Sequence, residues 1–256
     1  LAFTKYKKMP IALSTHEAYE VTYEVDGFHV KGLLFKPLKE ARRIVMYLRG
    51  GKGQVGRVRP ARMMQFMNAS TVVFAPYYRG NNGSEGHDAF AGADLNDVIE
   101  AAHILKEMYP ETPLHLIGFS RGGIQGLLTF QEVGATSYII WGGVSDLRLM
   151  YEERVDLRGM MRRMIGHPKK QSSVYDEREA LNAITQMSPP ILIVHGGADE
   201  QVGIHQAYHL EKHLKQVGAT YDTLYQLEEG HVPRPSALKD VLNYIQDWMA
   251  QTESEI

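Results

Sequence analysis

Cysteine is absent from the chain, and that absence removes disulfides, thiolate metal centres and a cysteine nucleophile together. It fits a reducing compartment, and the expected location is cytoplasmic. Also absent is any run approaching the ~20 apolar residues that a membrane-spanning helix needs, so no membrane association is expected. Residues Leu1–Pro10 are basic but carry no apolar secretory core. The missing initiator Met fits processing or trimming of an upstream segment. Neither sign of charge is in excess: 28 Lys and Arg face 30 Asp and Glu, a net charge of −2. A nucleic-acid partner would announce itself as a basic face. The pair Lys169-Lys170 is too short for one and reads as solvated loop, so no nucleic acid is expected.

What is present is apolar sequence in short, regularly spaced pieces. Hydrophobic residues fill 44% of the 256 positions, enough for one large core, and a single domain over 1–256 is expected. Tyr19–Val25 and Phe28–Phe35 alternate apolar and polar residues around Asp26-Gly27, the pattern of a β-hairpin at a sheet edge. Apolar runs then appear at Ile44–Leu48, Thr71–Ala75, Leu114–Ile117, Tyr138–Trp141 and Ile191–Val194, each fitting a strand buried on both faces. A last strand fits Tyr221–Leu227. Helical stretches separate them at Arg62–Met67, Asp94–Met108, Ile124–Phe130, His205–Val217 and Ser236–Met249, with Asp94 or a neighbour placed to cap the second. The expectation is an α/β fold built on a mostly parallel eight-stranded sheet flanked by helices. Asp146–Met187 breaks the alternation and is read as a short helical insert before the seventh strand. Ligands of such sheets bind beyond the carboxyl ends of the strands, so an insert emerging there would wall the site. Its Met150, Met160, Met161 and Met164 read as packing against the body.

One motif carries chemistry. Leu114–Ile117 runs into Gly118-Phe119-Ser120-Arg121-Gly122-Gly123, with a helix following: the G-x-S-x-G elbow in its strand-to-helix setting. A serine on that strained turn projects its hydroxyl above the sheet. Side chains two residues before or after it would collide with neighbouring backbone, hence the glycines. Ser120 is the candidate nucleophile.

A serine hydroxyl needs a base, and the base an orienting acid, in the chain order Ser, acid, His. The strand Ile191–Val194 leads into His195-Gly196-Gly197-Ala198-Asp199-Glu200, which offers two carboxylates past a strand end. The last strand leads into Glu228-Glu229-Gly230-His231, so His231 is the candidate base, while His195 reads as a strand-end residue. Two amide donors are needed for the oxyanion. One is the N–H of Arg121, next after the serine. The other should come from Arg49-Gly50-Gly51-Lys52-Gly53, where Gly51 is favoured because glycine permits close approach. That loop lacks the G-x-x-x-x-G-K-[ST] spacing of a phosphate cradle. Tyr78 and Arg79, beyond the fourth strand, read as loop braces rather than site residues.

Taken together the motifs resemble the catalytic domain of prolyl oligopeptidase-type serine hydrolases, within the α/β-hydrolase superfamily. The matching pieces are Arg49-Gly50-Gly51, Tyr78-Arg79-Gly80, Gly118–Gly123, Gly142-Gly143-Val144-Ser145-Asp146, His195–Asp199 and Glu229-Gly230-His231, from about Tyr19 onward. The resemblance implies Ser120, Asp199 and His231 as triad and Gly51 and Arg121 as oxyanion hole, with no metal and no organic cofactor. Two departures bear on substrate. The chain has no room for the β-propeller of the larger peptidases, and Arg49 stands where the family often has histidine. Both turn the expectation from peptidase to carboxylesterase, with a small ester or short peptide as substrate. Glu152, Glu153 and Asp156 are the weak candidates for gripping a substrate amine. The reading from another class is a non-catalytic binding protein on a hydrolase fold.

Overall fold

Asp26 and Gly27 both take positive φ, 50° and 80°, the backbone that a tight hairpin turn matched to strand twist demands. The turn joins β2 (His16–Val25) to β3 (Phe28–Pro37), paired antiparallel with Val25 opposite Phe28. The computed structural model describes residues 1–256 throughout. Its sheet has nine strands rather than eight. The additional one is β1 (Lys5–Lys8), paired antiparallel with β2 and exposed at every position. A strand with no buried face has no alternation to read, and lysines suit an open sheet edge.

The remaining strands are β4 (Arg43–Leu48), β5 (Thr71–Pro76), β6 (Leu114–Phe119), β7 (Ser137–Trp141), β8 (Ile191–Gly196) and β9 (Tyr221–Gln226). All pairings from β5 across to β9 are parallel, and the spatial order is β1-β2-β3-β5-β4-β6-β7-β8-β9. The chain therefore reverses its direction of sheet growth at β4, between β5 and β6. Loops leaving β4 and β6 meet at that switch point, where open α/β sheets bind ligands. In register, Leu48 lies opposite Gly118, Phe119 opposite Trp141, and Trp141 opposite Val194. The turns that follow these strands thus emerge side by side.

Alternate residues of each central strand feed two buried layers. Ile44, Met46 and Leu48 pack with α2 (Leu95–Met108), α3 (Gly122–Leu127) and α7 (His205–Val217), while Val45 and Tyr47 pack with α1 (Pro60–Met64) and α8 (Pro235–Ser254). Pro60 opens α1 at a position where its missing N–H costs nothing. Asp94 precedes α2 but does not cap it. Its carboxylate instead accepts from the Ala91 and Gly92 amides and from Gln125 and Arg121. Between β7 and β8 lie α4 (Leu147–Glu153), α5 (Arg158–Met164), α6 (Ser172–Asp176) and two single turns of 3₁₀ helix. Asp146 caps α4 through the Leu149 amide. Met150 and Met161 are buried in the larger core layer, with Met160 and Met164 partly buried against it.

No helix is long and apolar enough to cross a membrane.

Candidate active site

β6 ends in a turn that places Ser120 at φ 57°, a left-handed conformation that costs a non-glycine residue about 1–3 kcal/mol. The turn is held by the Ser120 amide to the Trp141 carbonyl and by the Ser120 carbonyl, which accepts from the Gly123 and Val144 amides. A Cβ at Gly122 would overlap the carbonyl oxygen of Leu48. Glycine there lets α3 start directly against β4, which tightens the elbow.

Asp199 and His231 meet on loops that leave β8 and β9. His231 Nδ1 lies 2.7 Å from Asp199 Oδ2. The other carboxylate oxygen accepts from the Gln201 and Val202 amides, each at 2.9 Å. Burial alone would raise the Asp199 carboxyl, but the His231 hydrogen bond and these amides outweigh it and hold its pKa below the ordinary value. Glu200, the neighbouring carboxylate, is exposed. His195 Nε2 donates to the Val202 carbonyl, 2.7 Å away, and burial keeps its pKa down. It supports the Asp199 loop from below. A Cβ on Gly142 would come within 3.2 Å of His231 Nδ1 and 3.3 Å of Asp199 Oδ2, so glycine at that position leaves room for the pair.

Ser120 and His231 line one cavity of about 660 Å³, together with Gly51 and Arg121. The structure thus brings together Ser120, His231, Asp199 and the two amide-bearing residues. No hydrogen bond joins the side chains of Ser120 and His231 here; the imidazole makes its single bond to Asp199. Neither the Gly51 nor the Arg121 backbone N–H donates to another group of the protein, which leaves both available to an oxyanion. The Phe119 ring packs on His231 at 4.6 Å between centroids.

Sequence reasoning used only the amide of Arg121 and missed its side chain. The guanidinium is buried, paired with Asp88 at 2.6 Å and Asp94 at 3.2 Å, and donates to the Gly51 carbonyl at 3.2 Å. One residue therefore presents an unengaged amide and holds the loop that bears the other. Nothing in the spacing of Asp88, Asp94 and Arg121 signals this. Tyr78 and Arg79 stay out of the cavity. Tyr78 donates to the Arg49 carbonyl, and Arg79 forks onto Asp97 and reaches Asp26. Arg49 itself is buried and holds the carbonyls of Gly50, Gly53 and Val55. Glu152, Glu153 and Asp156 do not line the cavity. Glu153 instead lies beside His205, and Asp156 pairs with Arg154.

A mostly parallel sheet, helices on both faces and a serine on the elbow after β6 define an α/β-hydrolase fold. The model of the prolyl oligopeptidase family matches residues 59–254; the chain belongs to that family and is a serine hydrolase. It is 42% identical over 238 residues to the uncharacterized peptidase YtmA of Bacillus subtilis (strain 168), covering 90% of this chain and 92% of that one. Among solved structures, it resembles a puromycin-hydrolyzing peptidase of Mycobacterium tuberculosis with a TM-score of 0.79 and 22% identity, covering 95% of this chain and 41% of that chain. It also resembles acetyl xylan esterase 1 from Thermoanaerobacterium sp. JW/SL YS485, with a TM-score of 0.70 and 13% identity over 98% of this chain and 89% of that one. These two likenesses concern the fold.

Proposed function

We propose that the protein hydrolyses small carboxylic esters through an acyl-enzyme on Ser120, with His231 as general base and Asp199 as the orienting carboxylate. The observation that carries the reading is the buried Asp199–His231 pair opening onto the cavity that Ser120 lines. With Nδ1 engaged by Asp199, the free Nε2 is the nitrogen left to take the Ser120 proton. The nitrogen and the hydroxyl close to hydrogen-bonding distance once substrate is bound. The Ser120 oxygen then bonds the substrate carbonyl carbon, and the amides of Gly51 and Arg121 hold the oxyanion. His231 returns the proton to the leaving group as its bond breaks. Water repeats the sequence, releasing the acid and restoring the serine. Residues of the insert, Met150, Arg154, Leu157 and Met160, supply part of the wall of this cavity, so the insert 146–187 acts as a cover within a single catalytic domain. A cysteine-free chain supports action in the reducing cytoplasm.

A second reading, cleavage of short peptides, is supported by the family and by the peptidase name of the Bacillus subtilis relative. It uses the same residues with nitrogen as leaving atom. An aminopeptidase is the version least supported, because no carboxylate lines the cavity to bind a substrate amine. Rates on phenyl esters, N-blocked peptide anilides and free aminoacyl anilides separate these readings. Ester turnover that vanishes in Ser120→Ala is the expected result. Turnover that survives the substitution overturns the mechanism.

A further inference from the structure

The charged side chains that line the cavity are all of one sign. Lys52, Arg57, Arg59, Arg62, Arg121 and Arg154 line it, and no Asp or Glu does. In a chain with net charge −2 that is a local reversal, built from the loop after β4 and the start of α1.

Two of the six are already neutralised within the protein. Arg121 is held by Asp88 and Asp94, and Arg154 pairs with Asp156. The other four have no carboxylate at ion-pair distance. Arg57 reaches only the Gln54 side-chain oxygen, at 3.3 Å. Arg62 is half-buried and lies over the Phe119 ring, 4.9 Å from its centroid, the same ring that packs on His231. An unpaired guanidinium therefore sits one aromatic ring from the imidazole. Solvated surface arginines are ordinary; here Lys52, Arg57, Arg59 and Arg62 line a nucleophile's cavity that no Asp or Glu lines with them. Apolar lining comes from Met150, Leu157 and Met160 of the insert and from Val144, Val202 and Val232.

Like charges facing a cleft without counter-ions raise the local concentration of ligands of opposite sign and disfavour those of the same sign. Guanidinium groups match the planar, two-oxygen geometry of a carboxylate. We infer that the substrate carries a carboxylate, in its acyl or its leaving part, which Arg62, Arg59 and Arg57 bind with Lys52 at the rim, while its apolar body packs on the insert. The inference rests on the acyl-transfer reading above and names the substrate class of that site. An acidic half-ester and a short peptide with a free carboxyl end both have this chemistry.

The test compares esters of one shape and three charges: phenyl acetate, 3-acetoxybenzoate and 3-acetoxy-N,N,N-trimethylanilinium. Phenyl valerate against the phenyl half-ester of glutaric acid places the charge on the acyl side. The expected result is a kcat/KM preference of about tenfold or more for the anion over the neutral ester in at least one series, as several modest exposed ion pairs together give. The cation is expected to be the poorest substrate. Raising salt to about 0.5 M should compress the anion-to-neutral ratio. The ratio should collapse toward unity in Arg57→Gln/Arg59→Gln/Arg62→Gln and fall only in part in the triple Lys variant, which keeps the charge and loses the planar fork. If the triple Gln variant does not fold, Arg57→Gln and Arg59→Gln singly, both exposed positions, should each lower it. A flat or reversed charge order, or a ratio unmoved by these substitutions, overturns the inference. Ser120-dependent turnover of the neutral ester with a flat charge order overturns only this inference. Turnover that survives Ser120→Ala overturns the acyl-enzyme reading beneath it.

Discussion

The Asp199 carboxylate spends one oxygen on His231 Nδ1 and the other on two backbone amides of its own loop. With both oxygens engaged the carboxylate is fixed by its loop, so the ring orientation is set before substrate arrives. Substituting Asp199→Asn keeps the shape but offers an amide N–H or a weaker acceptor to Nδ1, which favours the wrong tautomer of His231. A fall in kcat of roughly 10³- to 10⁴-fold is expected, with far-UV circular dichroism unchanged. Glu200→Gln on the exposed neighbour should change kcat by no more than a few-fold.

Gly122 tests the elbow independently of chemistry. A methyl group there meets the Leu48 carbonyl, a backbone atom that cannot swing aside. Gly122→Ala is expected to cost about 2 kcal/mol or more, read as a lower midpoint in urea unfolding. A midpoint within error of the wild type contradicts the packing described for α3 and β4.

Arg79 forks onto Asp97, whose side chain is fully buried. Removing the guanidinium leaves that carboxylate with little but the Arg79 backbone amide. Arg79→Met should therefore destabilise by roughly 3–5 kcal/mol, and Arg79→Met/Asp97→Leu by less than the single change. A double-mutant cycle in urea measures the difference.

The end of α8 carries a pH-dependent clasp. Glu253 bonds Arg43 and the buried His115; burial opposes its ionisation, but these partners outweigh burial and bring its pKa down to about 2 from 4.5. A carboxyl whose pKa is depressed on folding stabilises above its unfolded value and loses that contribution as pH falls through the folded value. Glu253→Gln should thus be less stable than wild type by about 2 kcal/mol near neutrality, with the gap narrowing as pH falls from about 4.5 toward 2. Thermal melts at stepped pH give the comparison.

Much of this arrangement was legible in the sequence because parallel strands buried on both faces are continuous apolar runs, and the elbow requires its glycines. The span of α7 read from periodicity agrees with the observed helix, His205–Val217. What escaped notice has physical reasons. β1 has no buried residue, so KYKK shows no pattern. Asp94 looks like a helix cap but is spent on Arg121, Gln125 and its own loop, and such long-range polar pairing has no local signature. The cationic lining was invisible for a similar reason. Lys52, Arg57, Arg59 and Arg62 are close in sequence, yet only the fold shows that no carboxylate comes to meet them.

The most direct test of the account is covalent labelling by a fluorophosphonate, followed by peptide mass spectrometry. A single adduct on Ser120 is expected, lost in Ser120→Ala and slowed at least a hundredfold in His231→Ala. A folded wild-type protein that takes no label, or one labelled as fast without His231, would contradict it.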